Sequence, residues 1–170
     1  MRRLWEDHIV WTRLYIVSAI AGLPDLHQTA ERLLRNQADI GDAIKPFYGE
    51  EAGAQLTALL RGHILTAAEL IGAAKTGDQP TTAAASERWY ANADSIATFL
   101  SSANPRQWPA APLKLMMKQH LDATLTEATA RLQGRYAEDI AAYDRIHQHI
   151  LMLADALSDG IASQFPAKFR

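Results

Sequence analysis

Cysteine is absent from this chain of 170 residues. Disulfides, thiolate metal sites and a cysteine nucleophile are excluded together. A block of one charge sign is also lacking. The 17 basic and 19 acidic residues are interspersed and leave a formal charge of -2, so no electrostatic footprint for nucleic acid stands out. Phosphate-cradling glycine loops are missing, as is the His-Glu-x-x-His pattern of zinc proteases. The N-terminus imitates a leader, with Met1-Arg2-Arg3 ahead of Leu14-Tyr-Ile-Val-Ser-Ala-Ile-Ala-Gly22. Glu6, Asp7 and Arg13 interrupt it, and a membrane span needs about 20 predominantly apolar residues. The expectation is an amphipathic first helix of a cytoplasmic protein with no membrane partner.

What is present is apolar content, 48% of residues, enough for a sizeable core in one domain. Apolar residues recur at three- and four-residue steps, strand alternation is missing, and the breaks fall at glycine and proline. The pattern predicts an all-α, up-and-down bundle of about six helices. The first covers about 4–21 and stops at Gly22-Leu-Pro24. The second follows Asp25, a natural N-cap, and runs to Lys45-Pro46. The third begins near Glu50 and ends at Gly77. Thr76 to Thr82 reads as the main loop. The fourth covers roughly 83–102, Asn104 to Pro109 forms a link, the fifth covers about 112–132, and the sixth runs over 136–163.

Two segments carry matching signatures. Leu59-Leu60-x-x-His63 precedes Gly77, and Met116-Met117-x-x-His120 precedes Gly134, with the same histidine-to-glycine separation of 14 positions (77 - 63 and 134 - 120). Ala38-Asp39 and Ala93-Asp94 stand upstream of them. The spacing predicts an internal duplication of helical hairpins, about 25–77 and 83–134, flanked by the first and last helices.

Helical periodicity turns the histidines inward. His8 shares a stripe with Trp5, Thr12, Tyr15 and Ala19. His63 lies on the stripe of Leu56, Leu60, Ala67 and Leu70, and His120 on that of Leu113, Met117, Thr124 and Ala128. In the sixth helix Ile140, Asp144, His147, Leu151 and Ala154 form one stripe, while His149 joins Ile146, Ile150 and Leu153 on the next. His27, beside the Pro24 turn, is expected to be exposed.

Inward imidazoles on four helices form a candidate site for zinc, iron, copper or nickel, because neutral imidazole suits these ions and bundle cores host them. The candidate ligands are His8, His63, His120, His147 and His149, with Asp144 as ligand or orienting carboxylate. Glu6 and Asp7 are further oxygen donors. The competing expectation is a non-enzymatic interaction or small-ligand module whose histidines are core residues satisfied by Thr12, Tyr15, Gln37, Asn92 or Asp144. Only Asp144-x-x-His147 approaches the Glu-x-x-His pattern of di-iron bundles, so a metal site here has another design. Homodimerisation is compatible with both readings.

Leu4-Trp5-x-Asp7-His8-x-x-Trp11-Thr12-Arg13, Arg32-Leu-Leu-Arg-Asn-Gln37-x-Asp39-Ile40-Gly41 and Ile44-Lys-Pro-x-Tyr48-Gly49 resemble a family of small bacterial all-α proteins. The resemblance runs through most of the chain and implies a bacterial, cytoplasmic origin. It carries no activity and no binding residues.

Overall fold

The computed structural model describes residues 1–169. Six helices follow in order, α1 Arg2–Ala21, α2 Leu26–Tyr48, α3 Glu50–Thr76, α4 Gln79–Ala103, α5 Ala110–Leu132 and α6 Tyr136–Gln164, and a 3-10 turn Pro166–Phe169 closes the described chain. No strand occurs among the described residues, so the all-α bundle expected from the apolar periodicity is what forms. Successive helices pack against each other, and α6 returns to α1. The first helix also reaches α3 and α5, which brings His8 towards the middle of the bundle.

Two helix ends differ from expectation, both at proline. Pro46 sits inside the last turn of α2, which continues to Tyr48. A proline there forfeits only one intrahelical bond near an end that is already finishing. Thr76 to Thr82 is mostly helix, and the connection shrinks to Gly77 and Asp78. Gly77 takes φ 75° and closes α3, while the Asp78 carboxylate accepts a bond from the Thr81 amide at 3.1 Å and starts α4. Pro80 falls in the first turn of α4, where a missing N–H costs nothing.

The core draws on every helix, with Trp5, Ile9, Leu33, Ile40, Leu60, Trp89, Ile96, Leu121, Ile146 and Leu153 all buried. Helices α2 and α3 approach each other backbone to backbone at Gly41 and Gly53. A Cβ placed on Gly41 would stand 2.6 Å from the Gly53 carbonyl oxygen and 2.0 Å from Thr57 Oγ1. Among the described residues, α3 alone is long and apolar enough to cross a membrane. In the fold it packs between α2 and α4.

Candidate functional site

The inner face of each helix decides which histidines meet. His8, His63 and His120 are all buried, at 3%, 4% and 5% exposure. The His8 and His120 rings lie 5.8 Å apart, and the His149 ring stands 6.4 Å from His120. His120 is the hub of the cluster.

The sixth helix resolves its two alternatives in favour of His149. Its buried face is Asp139, Ala142, Ile146, Ile150, Leu153 and Leu157, and a one-residue step turns a helix by about 100°. The stripe proposed through Ile140, Asp144 and His147 therefore points elsewhere. Ile140 is 54% exposed and Asp144 is exposed. His147 faces α1 near the surface, where its Nε2 meets Glu6 Oε1 at 2.9 Å and its ring stacks on Tyr143. His27 is exposed beside Glu31, as expected. Asp7 is held near Arg32.

The buried imidazoles differ in their bonds. Trp89 Nε1 donates to His63 Nε2 at 3.1 Å. Indole is a donor only, so the proton of His63 resides on Nδ1 and goes to Asn92 Oδ1 at 3.0 Å. The amide of Asn92 is fixed in turn by its bond to the Leu59 carbonyl. His63 is thus saturated by α4. By contrast, Nδ1 of His120 and of His149 is buried without a partner, and Nδ1 of His8 and Oε1 of Gln37 make no bond of full geometry, although the two side chains stand close enough for Gln37 to favour the protonated ring of His8. Gln37 spends its amide nitrogen on the Leu33 carbonyl and Asn36 Oδ1. Each such orphan costs about 1–3 kcal/mol, so this region concentrates polar capacity that the fold itself does not use.

Electrostatics keep the cluster neutral. Burial pushes His8 down to about 3, helped by the neighbouring His63 and opposed by Gln37. Burial takes His63 down to about 4, opposed by Asn92. His120 is held well below its ordinary value by burial and then by His8, His63 and His149, and burial also lowers His149. At neutral pH these rings are unprotonated, the form that binds metals.

Beside the cluster lies a cavity of about 40 Å³. His8, His63 and His120 share its wall with Ile16, Leu33, Ile64, Leu70 and Trp89. Thr12 and Thr124 also line it, but their hydroxyls donate to the carbonyls of His8 and His120.

A second buried polar group joins the same three helices. Arg13 of α1 bonds Glu127 of α5 at 2.6 Å and grips Asp139 of α6, which also receives Arg131. Asp139 and Glu127 are 0% and 2% exposed. Burial opposes the charge on Asp139, yet the two arginines outweigh it and hold the carboxyl below its usual range. Burial wins at Glu127, which is raised to about 7 against the pull of Arg13. Sequence reasoning missed this cluster. Its signal was an acid on an inward stripe, since His120, Thr124, Glu127 and Arg131 recur at four- and three-residue steps.

Among the described residues, no group of three or more His, Asp or Glu side chains is arranged to hold a metal ion as it stands. Comparison with known proteins finds no matching family, no matching curated sequence and no matching solved structure.

Proposed function

We propose that this bundle is a binding protein for a transition-metal ion of the zinc, iron, copper or nickel class, held by His8, His120 and His149. The observation that carries the reading is the set of three buried Nδ1 atoms, none with a bond of full geometry, on neighbouring rings from α1, α5 and α6. An ion takes imidazole nitrogen at about 2.0–2.1 Å, which with a tetrahedral angle sets two ligand rings roughly 5–5.5 Å apart between centres. The two pairs that share His120, with ring centres at 5.8 and 6.4 Å, need to close by up to about 1.4 Å, and His8 and His149 must approach each other as well for all three to share one ion. For His63 the structural reading is favoured, because both ring nitrogens already have partners. Asp144 and His147 lie outside the proposed site.

Elemental analysis of untagged protein, reconstituted with each of the four ions, tests this. The parent should retain stoichiometric metal, and folded His120→Leu and His149→Leu variants should lose it. A parent that holds none of the ions, or a folded His120→Leu variant that keeps its metal, overturns the assignment.

A further inference from the structure

The three odd-numbered helices share one register. His8 stands 14 positions before Gly22 (22 - 8), as His63 does before Gly77 and His120 before Gly134, and these glycines all take positive φ, at 67°, 75° and 71°. Each helix reverses its predecessor across a short connection, so α1, α3 and α5 run the same way. Their imidazoles stand level, and each helix continues for about three turns beyond them.

A second cavity lies further along the same three helices. The cavity at His8, His63 and His120 holds about 40 Å³, and one of about 30 Å³ is lined by Ile20, Ala74, Thr129 and Leu132. Ile71, Leu125 and Ala128 line both, which places the two end to end. From His63 to Ala74, or from His120 to Leu132, the helical rise spans roughly 17 Å. Volumes this small over that length correspond to a bore of roughly 5 Å once a water's own radius is included. That is the width of one extended hydrocarbon chain. The outer end reaches solvent, since Leu132 is 38% exposed and Ile20, Ala74 and Thr129 are half-buried.

The lining selects the chemistry. No Lys, Arg, Asp or Glu lines either cavity, so a charged group brought in would lose its hydration without compensation. At the inner end, Thr12 and Thr124 have given their protons to backbone carbonyls and keep free lone pairs. Nδ1 of His120, a residue 5% exposed, has no partner there. A hydroxyl, which both donates and accepts, suits such a set. The apolar remainder of the bore suits an aliphatic tail.

We infer that the space between α1, α3 and α5 is a binding channel for an uncharged single-chain amphiphile of the fatty-alcohol class, with its hydroxyl at His120 and its tail leading out past Ala128 to Leu132. The inference goes beyond the metal reading and needs no ion.

The test titrates the full, metal-free chain with 1-alkanols from 1-hexanol to 1-decanol and follows it by nuclear magnetic resonance. Affinity should rise about fourfold per methylene, the factor to which about 0.8 kcal/mol per buried CH₂ converts. In the 1-octanol complex, Overhauser contacts should join the carbinol CH₂ to His120 and the methyl end to Ala128 or Leu132. Octanoate should bind about tenfold or more weakly than 1-octanol, because its charge must be desolvated. Ala128→Leu, where the two cavities meet, should cost 1-octanol about tenfold or more. His120→Leu should cost it about twofold to tenfold, the worth of one hydrogen bond. Contacts in the reverse order, octanoate bound as tightly as 1-octanol, or full affinity in a folded Ala128→Leu variant would overturn the channel. Absence of saturable 1-octanol binding in the parent overturns it without any variant.

Discussion

At the scale of single residues, His63 and His120 show how one sequence signature leads to two chemical situations. Both are buried on inward stripes, one on α3 and one on α5. His63 receives the indole proton of Trp89 and gives its own to Asn92, whereas His120 Nδ1 has no partner. Removing one member of a satisfied buried pair strands the other, while removing an already stranded group relieves a cost. His63→Leu should therefore destabilise the metal-free protein by about 1–3 kcal/mol or more, because it orphans Trp89 Nε1 and Asn92 Oδ1. His120→Leu should be near neutral or stabilising under the same conditions. Urea denaturation of both variants checks the contrast, and an equal loss in both would contradict the bonding described here. A metal-binding role for His120 fits this pattern, since binding residues are often kept against the demands of stability.

At the scale of elements, the helices were legible because their apolar steps are long and regular, and their ends were less so. The loop expected at Thr76 to Thr82 follows from counting Gly, Asp and Pro as breakers. Gly77, Asp78 and Pro80 instead act as terminator, cap and first-turn residue of adjoining helices. Likewise His149 and His147 differ by two positions, and periodicity alone left open which stripe α6 would bury. The decision came from Asp139, whose burial between Arg13 and Arg131 fixes the rotation of the helix through a contact far away in sequence. What pattern reading cannot supply is a partner on another helix. The approach of α2 to α3 is a further case, because Gly41 and Gly53 look unremarkable in sequence until their backbones meet. Gly41→Ala places a methyl group against the Gly53 carbonyl, which cannot swing away as a side chain would. Overpacking of this kind costs about 1–3 kcal/mol, against the about 1 kcal/mol that alanine gains over glycine inside a helix. The substitution should lower the thermal midpoint, whereas Gly72→Ala on α3, with nothing within 4 Å of the added Cβ, should raise it. A rise for Gly41→Ala would show that the two helices are free to separate.

For the whole molecule, α1, α5 and α6 meet at two polar clusters, the neighbouring imidazoles of His8, His120 and His149 and the bonded Arg13, Glu127, Asp139 and Arg131 group. The two clusters oppose each other in their response to pH. Folded His8, His63 and His120 titrate far below the ordinary histidine value, near 3 and 4 for the first two, while unfolded histidines take protons near 6.5. Between about pH 4.5 and 6.5 unfolding therefore takes up protons at these sites, and their contribution to stability rises with pH. Half-buried His149 adds in the same direction. Glu127 acts oppositely. Its folded value near 7 lies above the ordinary carboxyl range, so its contribution is full in acid and falls as pH climbs through that value. Asp139 is depressed and is fully ionised across this window, so it adds no slope there. Three imidazoles against one carboxyl make the net slope positive from about pH 4.5, and it levels off to a plateau above about pH 7. Urea midpoints of the metal-free protein at closely spaced pH should trace that rise and plateau. Glu127→Gln should steepen the rise. His120→Leu should flatten the rise by removing one of its three main sources. A midpoint that falls between pH 5 and 6.5 in the parent would mean that the imidazoles are protonated in the folded core, and with that the neutral cluster on which metal binding depends would be lost.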